Sequence, residues 1–233
     1  MTSPETVISK LILSPLPILI ADTCSLLDVL RAPVRFEAGE LRAAMFVWMA
    51  LTHPQPSVYL VLPEIIWNVE LKQRRGSAEE NLREFCNQYK TPTRSLQWWC
   101  SVVGARMPPD PEPFTSGLIQ SLTEIFDGIT GAACHLDEQT KCIDPAYQRV
   151  KEKRAPAHRK GEMKDAVIVE EVLELSRLVR DRGFNPPIVL LSANHDDYLD
   201  NEGGIHGDIA KDFNPLQITF SLNWTEARHS LGI

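Results

Sequence analysis

The sequence predicts an α/β fold: a parallel sheet between helices on both faces, arranged in three layers. Four short runs are predicted to be buried strands, at residues 18–21, 58–62, 188–191 and 216–220, and the first three are almost wholly apolar, as is typical of strands buried on both faces. Helical stretches separate these runs along the chain. Strands that alternate with helices are joined by right-handed crossovers, which produce a parallel sheet.

Amphipathic patterns predict the helices that link these strands. One helix is expected at 37–53, a second at 64–75 directly after the second strand, and a third at 162–181 before the third strand. The third is followed by Gly183 and by two prolines, which end a helix and lead into a strand.

The chain of 233 residues is expected to form a single domain, 1–233, that carries a helical insertion at 76–160. Within that insertion, helices are predicted at 78–89, 94–105 and 117–130. A cluster of prolines predicts a loop at 108–113. Trp98 and Trp99 are expected to pack in a helical core, with base stacking as the alternative.

Composition is that of an ordinary globular protein, with 43% hydrophobic and 24% charged residues and a formal net charge of -7. The chain as a whole therefore lacks the excess of positive charge that is typical of nucleic-acid-binding domains. The five cysteines are odd in number and widely spaced, which predicts a reducing compartment, and a cytoplasmic location without a membrane is expected. Cys134, His135 and Cys142 lack a clear fourth zinc ligand, so buried free thiols are favoured.

Carboxylates follow the first and third predicted strands, where an open parallel sheet binds ligands. Asp22 and Thr23 come directly after residues 18–21, and capping of the next helix is the alternative role for Asp22. Asp197 closes the polar run 192–197, which follows the third strand and also suits a turn. Asp165 lies in the first turn of the helix 162–181, on its apolar side, where an unpaired charge is costly.

A fourth acid is expected in the helix after the second strand. Glu64, Asn68 and Glu70 all lie near the required place, and Glu70 is preferred, with a solvated surface glutamate as the alternative. Carboxylates gathered in one cleft repel one another, and a hard divalent cation relieves that repulsion. Oxygen ligands alone favour Mg²⁺ or Mn²⁺.

The order of these motifs resembles the PIN domain family of metal-dependent nucleases. The matching elements are Asp22 after the first strand, Asp165 opening a helix, and the segment from Ser192 to Tyr198, which is similar to the family's Ser/Thr-x-Asn/Asp-x-x-Asp-Phe/Tyr element. The resemblance covers both ends of the chain and leaves 76–160 largely unmatched.

The resemblance implies an endoribonuclease that hydrolyses RNA with bound Mg²⁺ or Mn²⁺. The residues that it implies as catalytic and metal-binding are Asp22, Glu70, Asp165 and Asp197, with Thr23, Ser192, Asn194 and Asp196 in support and Lys160 and Lys164 as substrate-binding residues. Many chains of that family are toxins held by a partner protein, so an inhibitory partner and a homo-oligomer both stay open. An inactive RNA-binding or protein-binding module is the alternative function.

Two further interpretations concern the basic segment 149–164 and a different enzyme class. The segment has an excess of lysine and arginine, so it either contacts phosphates or forms a solvated connector.

A phosphatase of the haloacid dehalogenase type needs Asp-x-Asp after the first strand. Cys24 stands where its second aspartate is required, which argues against that class.

Overall fold

The computed structural model describes residues 4–35, 37–159 and 161–233. Its centre is a sheet of five parallel strands in the order β3-β2-β1-β4-β5. The strands are β1 (Ile18–Ala21), β2 (Tyr59–Pro63), β3 (Cys134–Leu136), β4 (Ile188–Leu191) and β5 (Ile218–Ser221). Every residue of β1, β2 and β4 is buried, so both faces of the central sheet are covered, as the alternation of strands and helices predicts.

Ten α-helices surround this sheet in the described part of the chain. They are α1 (Pro4–Leu13), α2 (Thr23–Arg35), α3 (Ala38–Thr52), α4 (Leu71–Val103), α5 (Pro111–Gly131), α6 (Ile143–Lys151), α7 (Met163–Arg180), α8 (His195–Tyr198), α9 (Gly207–Phe213) and α10 (Trp224–Leu231). Helices α2, α3, α4 and α5 pack together as one group, and α7 packs against α1 and α6. None of the described helices combines the length and the apolarity needed to cross a membrane.

The strand order reverses beside β1, and this reversal forms a crevice at one edge of the sheet. The chain passes from β1 to β2 and β3 on one side and then returns to β4 and β5 on the other. Ile18 is in register with Ile188, so the carboxyl ends of β1 and β4 lie side by side. Ligands of open α/β sheets bind in the crevice at such a reversal.

The stretch 76–160 is mostly helical, but it also contributes the edge strand β3, which the sequence analysis did not predict. The predicted helices at 78–89 and 94–105 fall on one helix, α4, which continues through Gly76 and Pro92 and ends at Val103, two residues earlier than predicted. The predicted loop at 108–113 is wrong from Pro111 onward. There Asp110 accepts a hydrogen bond from the Glu112 N–H, and a proline suits the first helical position, so α5 begins early.

The last strand begins two residues later than predicted. Asn214–Leu216 form a turn of 3-10 helix, and Gln217 has a φ of 53°, so the chain becomes extended only at Ile218. Trp98 and Trp99 are 58% and 56% exposed, so the expectation that both pack in a core is wrong.

Candidate functional site

Asp22 lies where β1 ends and α2 begins, and its carboxylate is held from two sides. Its Oδ1 accepts a hydrogen bond from the Thr23 N–H at 2.6 Å, and its Oδ2 accepts one from the Ser192 hydroxyl at 3.0 Å. The residue is 6% exposed. Burial raises the pKa of Asp22, and the bond from Ser192 offsets part of that effect. Ser192 therefore orients Asp22 across the β1–β4 boundary.

Asp165 lies in the first turn of α7 and is 7% exposed. The valines that predict its orientation, Val169, Val172 and Val179, are buried, so this side of α7 faces the core. Burial, followed by the negative charge of Asp22, raises the pKa of Asp165 to about 7. Two carboxylates from distant parts of the chain thus share one poorly solvated region.

Asp197 lies in α8, which follows β4, and is 3% exposed. Its Oδ2 accepts a hydrogen bond from the Asn194 side-chain amide, so Asn194 orients this carboxylate. Its Oδ1 is buried and has no hydrogen-bond partner. A buried acceptor without a partner is costly, so this oxygen would gain from a ligand that reached it.

Glu70 is the acid that the second strand and its helix bring to the site. Its side chain is 12% exposed, and it forms ion pairs with Arg74 at 3.3 Å and Lys164 at 3.4 Å. Glu64 instead accepts hydrogen bonds from the Glu138 N–H and from the Asn68 side chain, and neither Glu64 nor Asn68 lines the cleft. The helical turn thus directs Glu70 to the site and the other two candidates away from it.

One polar cleft, which we call the acid cleft, brings the four predicted acids together in a volume of about 360 Å³. Its lining consists of Asp22, Cys24, Asp28, Arg31, Arg35, Glu70, Arg74, Glu162, Lys164, Asp165, Ala193, Asn194 and Asp197. The predicted substrate-binding residue Lys164 is among them. Lys160, the other residue predicted for that role, lies outside the described residues.

The arginines that line this cleft were not predicted from the sequence. Arg31 and Arg35 lie on α2, where they form ion pairs with Asp28, and Arg74 lies one helical turn after Glu70. The available signal was their spacing. Arg31 and Arg35 are four residues apart on the helix that Asp22 opens, and Arg74 follows Glu70 by four, so each pair shares a helix face.

Three of the four predicted supporting residues, Thr23, Ser192 and Asp196, do not line the acid cleft, although Ser192 lies behind it and donates to Asp22. Thr23 is buried, and its hydroxyl oxygen has no hydrogen-bond partner, so of its polar groups only the backbone N–H serves Asp22. Asp196 points outward: its side chain is 73% exposed and pairs with Arg159 at 3.2 Å. Adjacent residues at the start of a helix point in different directions, which separates Asp196 from Asp197.

In its described residues, the basic segment 149–164 is not a wholly solvated connector, and its contact with phosphates stays a prediction. Arg149 is 1% exposed and forms ion pairs with Glu170 at 2.7 Å and Asp212 at 2.6 Å. Arg154 also pairs with Asp212. The segment thus anchors α6 to α7 and α9, and of its described cations only Lys164 lines the acid cleft.

The six carboxylates of the acid cleft suit a hard divalent cation, because they supply oxygen ligands, among them the unpartnered Asp197 Oδ1. In the described ranges, however, no three His, Cys, Asp or Glu side chains lie close enough to hold a metal ion as they stand, and this includes Cys134, His135 and Cys142. Ligation in the cleft requires the carboxylates to draw together. Comparisons with protein-family models, curated proteins and solved structures give no match.

Proposed function

We propose that this protein is an endoribonuclease of the PIN type that hydrolyses RNA phosphodiester bonds in its acid cleft with Mg²⁺ or Mn²⁺. The observation that carries the proposal is the meeting of Asp22, Glu70, Asp165 and Asp197 in one cleft at the carboxyl ends of β1 and β4. These acids come from four separate parts of the chain. A fold has no structural reason to bury carboxylates together, because their mutual repulsion opposes folding.

Asp22, Asp165 and Asp197 would hold the cation, with Glu70 completing its surroundings. When bound, the cation supplies positive charge to the scissile phosphate and lowers the pKa of a water molecule. Ser192 and the Thr23 N–H orient Asp22, and Asn194 orients Asp197. The Asp165 carboxyl, whose pKa is about 7, releases its proton as positive charge enters the cleft.

The cations of the cleft explain how an acidic protein admits a polyanion. Arg31, Arg35, Arg74 and Lys164 contribute four positive charges to the lining, against six carboxylates. Arginine binds phosphate through two parallel N–H bonds, so Arg31 and Arg35 on α2 are suited to hold phosphates next to the reacting one. These four cations, which we call the basic wall, supply positive charge locally in a chain whose net charge is negative.

A second candidate function is an inactive RNA-binding or protein-binding module of the same fold. The ion pairs of Glu70 with Arg74 and Lys164 favour it, because they occupy one of the four carboxylates with protein cations. Such a module would bind RNA through the basic wall but would not cut it.

A nuclease assay on single-stranded RNA with Mg²⁺ or Mn²⁺ tests the proposal. Asp22→Asn and Asp165→Asn are each expected to reduce cleavage by about 100-fold or more, because each removes a charge that holds the cation. Asp196→Asn is the matched control: it removes a carboxylate next to Asp197 but outside the cleft, and should leave the rate unchanged. Undiminished cleavage by Asp22→Asn, or binding of RNA without cleavage by the purified wild type, would refute the enzyme proposal.

A further inference from the structure

A second recess lies beside the acid cleft at the same edge of the sheet, and we call it the side recess. Asp28, Arg35 and Ala193 line both cavities, so the two meet at these residues. The side recess continues toward the end of β5, where Leu222 and Trp224 line it. Its volume is about 300 Å³, at the lower end of the range for small-ligand sites. A polymer bound in the acid cleft therefore finds room for one more of its units in the adjoining recess.

Arg35 lies at the boundary between the two cavities. Its Nη1 donates to Asp28 Oδ1 at 2.7 Å, and its side chain is 43% exposed. Within residues 4–35, 37–159 and 161–233 this guanidinium forms no second ion pair. A guanidinium has several N–H donors, so those that remain can bind a phosphate. Arg35 is thus placed to hold a phosphate whose two neighbouring nucleotides occupy the two cavities.

The charges of the side recess favour a base over a second phosphate. The carboxylates of Asp28, Glu37 and Glu40 line it, against the guanidinium of Arg35. This excess of negative charge repels a phosphate. His195 also lines the recess, and it is exposed and makes no ring contact with another aromatic residue of the described chain. Bases of single-stranded RNA stack on aromatic side chains, including histidine.

Glu37 is the carboxylate of the side recess that the fold leaves free. Asp28 is paired with Arg35. Glu40 accepts two hydrogen bonds from Thr225, at 2.6 and 3.2 Å. The Glu37 side chain, by contrast, does not cap α3 and forms no hydrogen bond or ion pair with any described residue. Its two oxygens can therefore accept two parallel N–H bonds from a ligand, which is the strong arrangement for a carboxylate.

Guanine is the base that matches such a carboxylate. Its Watson–Crick edge carries two neighbouring donors, the N1–H and the 2-amino group. Adenine and cytosine instead present an amino donor beside a ring nitrogen that accepts, and uracil presents one N–H between two carbonyl oxygens. A carboxylate is itself only an acceptor, so it repels each of those neighbouring acceptors.

We propose that the side recess binds a guanine base of the RNA substrate, stacked on His195 and hydrogen-bonded to Glu37, with the adjoining phosphate held by Arg35. The inference rests on the proposed function, which supplies RNA as the ligand. It adds to that function a preference for guanosine beside the cleaved bond.

Binding of labelled RNA hexamers, measured by fluorescence anisotropy, tests the guanine site. The protein carries Asp165→Asn, so that it binds RNA with Mg²⁺ present but does not cut it during the measurement. The probes are uridine hexamers with guanosine, inosine or adenosine at one central position. Guanosine should bind about 10-fold or more tightly than adenosine, the effect of one bidentate contact. Inosine keeps the N1–H but lacks the 2-amino group, so its affinity should fall between the two.

Glu37→Gln, added to this protein, replaces one of the two acceptor oxygens by a donor. The affinities for the guanosine and adenosine probes should then agree within about 2-fold. Glu124→Gln is the matched control, because it removes the same charge from α5, outside both cavities, and should keep the guanosine preference. His195→Ala should weaken binding of the guanosine probe by about 10-fold through loss of stacking, whereas His195→Phe should retain it. Circular dichroism shows whether each variant keeps the fold.

Equal affinity for the guanosine and adenosine probes, or binding of none of them, would overturn the guanine site. A guanosine preference that survives Glu37→Gln, or that Glu124→Gln removes, would overturn it as well. Cleavage by the wild type with Mg²⁺ separates this inference from the proposed function. A guanosine preference in binding without any cleavage would refute the nuclease alone, whereas cleavage that is indifferent to guanosine would refute the guanine site alone.

Discussion

Replacing Asp165 by asparagine is expected to stabilise the metal-free protein at pH 8. Burial and the charge of Asp22 raise the pKa of Asp165 from 3.8 to about 7, whereas in the unfolded chain the group titrates near its ordinary value. Between about pH 4 and pH 7 the folded protein therefore holds a proton that the unfolded chain has lost. Stability falls as the pH rises through that window, and the loss persists above it.

The size of the effect follows from the same shift. A carboxyl pKa raised from 3.8 to about 7 corresponds to an upper limit of roughly 4 kcal/mol lost at pH 8. Relaxation of the cleft and entry of water reduce that figure, so we expect Asp165→Asn to gain about 1 to 3 kcal/mol in the free energy of unfolding. Asparagine carries no charge at any of these pH values, so the gain should shrink steadily toward pH 4.

Urea unfolding with a chelator present, at several pH values, measures this gain. A divalent cation should reverse the ranking, because Mn²⁺ binds the folded wild type more tightly than the variant and stabilises it by mass action. If Asp165→Asn is no more stable than the wild type at pH 8 without metal, then burial of this charge is not costly and the reasoning is wrong. If Mn²⁺ stabilises both proteins equally, Asp165 is not a ligand.

Two more predictions concern buried charges outside the acid cleft. Arg149→Met should destabilise the fold by about 3 to 5 kcal/mol in urea unfolding, because it leaves the buried Glu170 without its cation and Asp212 with Arg154 alone. The exposed Lys151→Met should cost little. A loss below about 1 kcal/mol for Arg149→Met would contradict its structural role. Burial raises the pKa of Glu171 to about 7. Glu171→Gln should therefore stabilise the protein at pH 8 but much less near pH 4. An equal effect at both pH values would contradict the raised pKa of Glu171.

The central strands were predictable because each is a run of buried apolar residues that ends at a polar residue. β3 was not, since it has three residues and its half-buried His135 interrupts the apolar pattern. Gly76 and Pro92 are local signals for a break, yet α4 continues through both. Packing against α2 and α5 stabilises the helix more than those two residues destabilise it, and such packing involves residues far away in the chain.

The sequence by itself was enough to predict that Asp22, Asp165 and Asp197 lie together, because strand or helix periodicity defines the position of each one locally, and all three line the acid cleft. Only the tertiary structure decided that Glu70, rather than Glu64 or Asn68, enters the acid cleft. It also decided that Arg31, Arg35 and Arg74 join Lys164 in the basic wall of that cleft. It also showed Arg149 buried in the fold. The physical reason is that the direction of a helical side chain relative to a distant strand depends on how the helix packs, which no local pattern specifies.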